Sequence, residues 1–191
     1  MKIGIIVGST RPGRKAETVA KWVLGIANER RDAAYEIVDI AAFGLPLLDE
    51  PTPPSMGKYT KPHTLAWAAA IAPLDGFVFV TPEYNHSVPA ALKNAIDFLY
   101  AEWNKKAAGF VGYGSAGGTR AVEHLRTILA ELQVATVRAQ VALSLSSDFE
   151  KYRDFTPSPH QAARLHTMLD QLTEWTRAMT SVRAPTGAAE R

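Results

Sequence analysis

The chain has 191 residues, of which 47% are hydrophobic, and a formal charge of +2 at pH 7. That combination suits one globular domain with a substantial core and excludes a disordered, collagen-like or membrane-embedded chain, while the even charge balance argues against nucleic acid and for a small anionic ligand. Cysteine is absent, which removes disulfides, thiolate catalysis, iron–sulfur ligation and cysteine zinc sites together, so any redox chemistry must come from a bound cofactor.

In chain order, the apolar run Lys2-Ile3-Gly4-Ile5-Ile6-Val7 predicts a strand over 2–8, and an amphipathic pattern predicts a helix over 15–30. Branched and aromatic residues predict strands over 35–40, 76–81, 108–113 and 134–143, the last interrupted by Arg138 and Gln140. Helices are expected over 61–72, 89–102 and 118–132, and a closing helix over 158–179 repeats Leu165, Met168, Leu169, Leu172, Trp175 and Met179 at a period of about 3.6 residues. Strands alternating with helices throughout predict an α/β fold, with a parallel sheet covered on both faces.

The alanine-rich run from Leu65 to Leu74 reads as a buried helix, about half the length of a bilayer span. Segments 41–60, rich in proline, and 144–157, rich in Ser, Asp and Pro, read as loops, the first long enough to be functional. Residues 1–180 are expected to form one domain, and 181–191, with almost no apolar content, a frayed tail. The first apolar run is too short for a secretory core and has no small-residue cleavage site after it, so a cytoplasmic location is expected. His63, His86, His124, His160 and His166 are scattered without a His-Glu-x-x-His pattern, and no protein-held metal is expected.

Three strand-end loops carry the chemistry. After the first strand, Gly8-Ser9-Thr10-Arg11-Pro12-Gly13-Arg14-Lys15 opens into a helix N-terminus. The amides there have no intrahelical partner and lie at the positive end of the helix dipole, so hydroxyls and guanidinium groups beside them suit a phosphate. The glycine spacing resembles a P-loop, but Arg14 and Lys15 replace the Lys and Ser/Thr that hold phosphate and magnesium, and no Gly-x-Gly-x-x-Gly is present. The second loop, Thr81-Pro82-Glu83-Tyr84-Asn85-His86-Ser87, offers an aromatic ring, amides and Asn85 to a heterocycle, with Glu83 free instead to orient the loop. The third, Gly114-Ser115-Ala116-Gly117-Gly118, misses a serine nucleophile elbow because Tyr113 stands where glycine is needed. What remains is a glycine turn whose amides can approach a ligand closely.

Gly8-Ser9-Thr10-Arg11, then Pro82-Glu83-Tyr84-Asn85 with Ser87, Pro89 and Leu92-Lys93-Asn94-Ala95-Ile96-Asp97, then Gly114-Ser115-Ala116-Gly117-Gly118 resemble the NAD(P)H-dependent FMN reductase family over roughly residues 2–145. The resemblance implies a flavodoxin-like three-layer sandwich with a five-stranded parallel sheet in the order 2-1-3-4-5, which would gather the three loops around one cleft. It implies FMN as cofactor, NADPH or NADH as donor, a quinone, azo compound, free flavin or similar small acceptor, ping-pong kinetics, and a homodimer or homotetramer. Carried over by position, Ser9, Thr10, Arg11, Arg14 and Lys15 would take the FMN phosphate, Pro82, Glu83, Tyr84 and Asn85 would lie along the isoalloxazine, and Ser115, Gly117 and Gly118 would line its pyrimidine side. Arg14 and Ala16 stand where many members have Ser and Asn, so Arg14 or Lys15 is expected to substitute by charge. No side chain is assigned to catalysis, since the flavin carries the chemistry. The rival readings are an FMN electron carrier that does not oxidise nicotinamide, and a non-redox module for a phosphorylated ligand.

Overall fold

The computed structural model describes residues 1–183. Strands β1 (Lys2–Val7), β2 (Ala34–Asp39), β3 (Gly76–Pro82), β4 (Ala107–Gly114) and β5 (Ala135–Ser144) form one parallel sheet in the order β2-β1-β3-β4-β5. Helices α1 (Ala16–Glu29) and α5 (His160–Arg183) cover one face; α2 (Pro62–Ile71), α3 (Ala90–Asp97) and α4 (Thr119–Glu131) cover the other. The order is the one expected from the family resemblance, and it puts the direction reversal between β1 and β3, where such sheets bind ligands.

The period-two alternation of the strands builds both cores. Ile3, Ile5, Val7, Val78 and Val80 point toward α1 and α5, whereas Ile6, Phe77 and Phe79 point toward α2, α3 and α4. All of β3 and β4 is buried, as strands covered on both faces must be. On the second face Phe77 and Trp103 meet edge to face at 4.9 Å, and Trp103 meets Trp67 at 6.0 Å. Both indoles find carbonyl acceptors, Trp67 at Ala95 O (2.7 Å) and Trp103 at Ile96 O (3.1 Å), so neither buried N–H is left unpaired.

The structure corrects several expectations. The helix foreseen over 89–102 stops at Asp97, because the chain must turn back through 98–105 to drive Trp103 into the core. The run from Leu65 is not a buried helix: α2 buries Thr64, Trp67 and Ile71 but leaves Leu65 exposed. Between Ala108 and Phe110 the pairing of β4 with β5 shifts register. Arg138 and Gln140 mark that irregularity, and it is held by Arg126, which donates to Val137 O (2.6 Å), Arg138 O and Gln140 Oε1, and by Gln171, which accepts from Ala139 N at 2.8 Å. Segment 41–60 contains two short 3-10 turns, Ile40–Phe43 and Pro54–Met56.

Segment 144–157, read as a plain loop, contains a small antiparallel hairpin of β6 (Phe149–Glu150) and β7 (Asp154–Phe155). Helix α5 runs past Met179 to Arg183, whose guanidinium reaches Asp75 Oδ1 (2.6 Å) and Lys105 O (2.9 Å). Of the tail expected over 181–191, residues 181–183 are therefore helical, and the rest lies outside the described residues.

Candidate functional site

The loops after β1, β3 and β4 do converge above the sheet. They and the segment after β5 enclose a cavity of about 460 Å3, lined by residues 11–15, Pro82, Glu83, Tyr84, Tyr113, Gly114, Leu145 and the hairpin tip 151–153. Small-molecule sites commonly measure roughly 300–1,000 Å3.

The first loop is held by close approach and by one arginine. Gly8 N continues the ladder to Val80 O at 2.8 Å, and a Cβ on Gly8 would stand 2.9 Å from both Val80 O and Leu92, so glycine is required there. Ser9 is fully buried, and its hydroxyl shares a 2.9 Å hydrogen bond with the Tyr84 hydroxyl, tying the first loop to the second. Arg14 forks onto both oxygens of Asp39 (3.0 and 2.5 Å) and also donates to Ser9 O and Glu17 Oε1. Expected to grip phosphate, Arg14 instead bolts the loop to the end of β2. Arg11 and Lys15 make no ion pair among the described residues. Lys15, the N-cap of α1, makes no side-chain cap bond, so beyond the Ala16 amide, which meets the Tyr113 hydroxyl, the helix start is open to an anion among the described residues.

The second loop turns in two residues. Tyr84 and Ser87 exchange both backbone hydrogen bonds (3.0 and 3.1 Å), and Asn85 and His86 have φ of 47° and 74°. That is a type I′ turn, in which both central residues need positive φ and Asn is well suited. Glu83 is the anchor: its side chain is 5% exposed, it pairs with the Arg120 guanidinium, and it accepts from Arg120 N at 3.1 Å. Burial pushes the Glu83 carboxyl up, but the bonds from Arg120 outweigh it and hold the pKa below the ordinary value. The alternative left open for Glu83, that it orients the loop, describes what it does.

The third loop behaves differently from its expected role. A Cβ on Gly118 would lie 2.5 Å from Tyr113 N, and one on Gly117 would lie 2.9 Å from the Ala142 Cβ. These glycines let the start of α4 press against β4 and β5. They do not line the cavity, and neither does the exposed Ser115; the loop's contribution there is Gly114. Thr10 lines not the main cavity but an adjoining recess of about 430 Å3 beside α3, and Asn85 stands at the exposed tip of its turn.

Sequence reading missed Tyr113, Leu145 and the hairpin tip. The Tyr113 hydroxyl sits beside the Ala16 amide, Tyr84, Arg14 and Arg11; burial, reinforced by Tyr84, raises its pKa against the pull of the amide and the arginines, so it remains an O–H donor. A tyrosine at the end of an otherwise apolar strand was the available signal. For the tip, the signal was Lys151-Tyr152-Arg153 framed by Phe149 and Phe155.

Residues 1–148 match the family model described as NADPH-dependent FMN reductase. An NAD(P)H-dependent FMN reductase of Schizosaccharomyces pombe is 43% identical over 149 residues, covering 77% of this chain and 74% of the relative. A 2-hydroxy-1,4-benzoquinone reductase from a Burkholderia species is 28% identical over 186 residues, covering 93% of this chain and 97% of the relative. Among solved structures, a flavoenzyme NAD(P)H:(acceptor) oxidoreductase from Paracoccus denitrificans shares the fold with a TM-score of 0.73 at 21% identity, covering 93% of this chain and 98% of that one. With three loops in the foreseen order around one cavity and a family match over most of its length, the chain belongs to the NADPH-dependent FMN reductases.

Proposed function

We propose that the protein is an FMN-dependent oxidoreductase that takes reducing equivalents from NAD(P)H and delivers them to a quinone or similar small acceptor, with donor and acceptor using one cavity in turn and hence ping-pong kinetics. The observation that carries this reading is the cavity at the carboxyl edge of β1, β3 and β4, with a helix start whose N-cap residue makes no side-chain cap bond and two cations without an ion pair among the described residues at one part of its wall, and aromatic side chains at another. The residues fit FMN. Arg11, Lys15 and the first-turn amides of α1 suit a phosphate dianion, and Tyr84, Tyr113 and Leu145 offer flat and apolar surface to a three-ring heterocycle. Bound FMN would supply the hydride acceptor and donor that a chain without cysteine lacks.

The chain's own work is positioning. Arg14 fixes the phosphate loop to β2, the Ser9–Tyr84 bond couples it to the second loop, and Glu83 clamps the second loop to α4, so the walls are set before a ligand arrives. No helix among the described residues is long and apolar enough to cross a membrane, and the reading includes a cytoplasmic homodimer or homotetramer. The test is an absorbance spectrum of the purified protein, after addition of FMN, before and after anaerobic NADPH. A flavin spectrum that bleaches on NADPH and returns with a quinone is expected; a protein that takes up no flavin, or whose flavin NADPH and NADH fail to bleach, overturns the reading.

A further inference from the structure

We propose that the hairpin tip Lys151-Tyr152-Arg153 receives the adenosine 2′-phosphate end of the electron donor, and thereby sets a preference for NADPH over NADH. This rests on the oxidoreductase reading above and assigns a donor-recognition element to it.

The argument begins with the charges around the cavity. Arg14 is neutralised by Asp39 and Glu17, and Glu83 by Arg120. Arg11, Lys15, Lys151 and Arg153 are left without an acidic partner within ion-pair distance among the described residues. The first two, with the start of α1, match one phosphate. The second two come from a different element and are in excess of that need, so the cavity is built for a further anionic group.

The hairpin is also a rigid mount. Phe149 is buried and packs on Tyr113 and Phe155 (6.1 and 5.1 Å between centroids), and Phe155 meets Trp22 of α1 edge to face at 5.6 Å. Its base is pinned by buried Asp148, which accepts from Ser144 N (2.9 Å), Ser158 N (2.9 Å), Gln161 Nε2 (3.1 Å) and Ser147 Oγ (3.1 Å). On this mount Lys151 and Tyr152 are held at φ of 50° and 57°, a conformation side chains other than Gly and Asn rarely adopt and one that persists only where the surroundings impose it.

What the mount displays is one aromatic ring between two cations. Tyr152 is 70% exposed, an uncovered face of the kind on which a nucleobase stacks. Lys151 and Arg153 flank it, and a phosphate monoester with nearly two negative charges is the group such a pair discriminates best. Glu150 and Asp154 face each other across the stem below, which confines any anion to the tip. The hairpin lies just beyond residues 1–148, the part that matches the family model.

The test uses flavin-loaded protein and two probes, adenosine 2′,5′-bisphosphate and 5′-AMP, titrated by calorimetry, alongside kcat/KM for NADPH and NADH. The wild-type chain should bind the bisphosphate about tenfold or more tightly than AMP, as two charge-assisted contacts imply, and should favour NADPH. The double substitution Lys151→Asn, Arg153→Ser, with Asn chosen because it tolerates the left-handed backbone, should erase both preferences, while Arg177→Ser on the exposed surface of α5 leaves them at wild-type values. Equal affinities for the two probes in the wild-type chain overturn the proposal, as do preferences that survive the double substitution in a variant with wild-type circular dichroism and flavin content. If the double variant does not fold, the single substitution Arg153→Ser, outside the two left-handed positions Lys151 and Tyr152, should narrow both preferences, and preferences unchanged in it overturn the proposal. A chain that binds no FMN overturns the functional reading itself, whereas a flavin-loaded, NADPH-bleached protein indifferent to the 2′-phosphate overturns only the role of the hairpin.

Discussion

Replacing Glu83 by Gln removes one charge from the clamp between the second loop and α4 while leaving its shape in place. The carboxylate is almost wholly buried and holds two groups of Arg120, its guanidinium and its amide. Hydrogen bonds to a charged group contribute roughly 1.5–3 kcal/mol each, and exposed ion pairs about 0–1 kcal/mol. Because the Arg120 side chain is 42% exposed, its guanidinium can rehydrate when released, which places the expected loss near the lower figure, about 1–2 kcal/mol. Urea unfolding at pH 7 should show this as a lower midpoint with unchanged slope. The pH dependence supplies the sign. A carboxyl whose folded pKa lies below its unfolded value of about 4.5 contributes its full stability above that value and loses it as pH falls through the folded pKa, so wild type and variant should converge in acid. A double cycle with Arg120→Met should return a coupling of about 1–2 kcal/mol, since the pair acts as a unit. An unchanged midpoint for Glu83→Gln, or strict additivity in the cycle, would refute the clamp.

Arg11→Ala should weaken FMN retention far more than it lowers the urea midpoint, because Arg11 is exposed and makes no ion pair among the described residues; equal flavin content in variant and wild type would sink its assignment. Gly118→Ala should cost about 2–4 kcal/mol, from a left-handed backbone at φ 69° and a Cβ driven to 2.5 Å from Tyr113 N. Gly13→Ala, at φ 71° with nothing within 4 Å, should cost only about 1–2 kcal/mol, and thermal melts of the pair measure the difference. Lys106 is buried, donates to the Ile71 and Ala72 carbonyls, and is pushed down by burial to about 8 from 10.5. Between those values the unfolded chain holds the extra proton, so stability should rise with pH from about 8 to about 10.5. The difference between wild type and Lys106→Met, followed by urea midpoint, should therefore grow in favour of wild type above pH 8; a flat difference would show that the ammonium is not penalised.

How far the fold could be read from the sequence depended on whether local pattern and tertiary demand agreed. Strands β1, β3 and β4 are buried on both faces, so their apolar runs survive as unbroken signals. Helix α4 has its apolar residues on one side, and its predicted ends lie within a residue of those observed. Where the two demands conflict, the pattern misleads. Leu99 and Trp103 extend the apolar count beyond Asp97 as if the helix continued, but Trp103 is wanted on the far side of the second core, and only a broken chain can deliver it. Alanine in α2 counts as apolar without needing burial, which is how a one-sided surface helix came to look fully buried.

The candidate site divides the same way. Residues whose role is backbone geometry show their type but not what they approach: Asn85, expected to meet a heterocycle, sits in a left-handed turn, and Gly118, expected at the ligand, stands where a Cβ would be 2.5 Å from Tyr113 N. Charged residues do not show their role either, because the same guanidinium serves equally as a ligand or as a strut, and only the position of its acids decides. Asp39, at the end of a strand 25 residues away, claims Arg14, and Arg120 claims Glu83 across a separation of 37 residues. Once those pairs are subtracted, the cations left facing the cavity among the described residues are Arg11 and Lys15 from one loop and Lys151 and Arg153 from a hairpin after β5. A motif search finds the first pair, which sits beside a helix start; the second acquires meaning only when Phe149 and Phe155 fold their hairpin against Tyr113 and Trp22 and bring its tip to the same cavity.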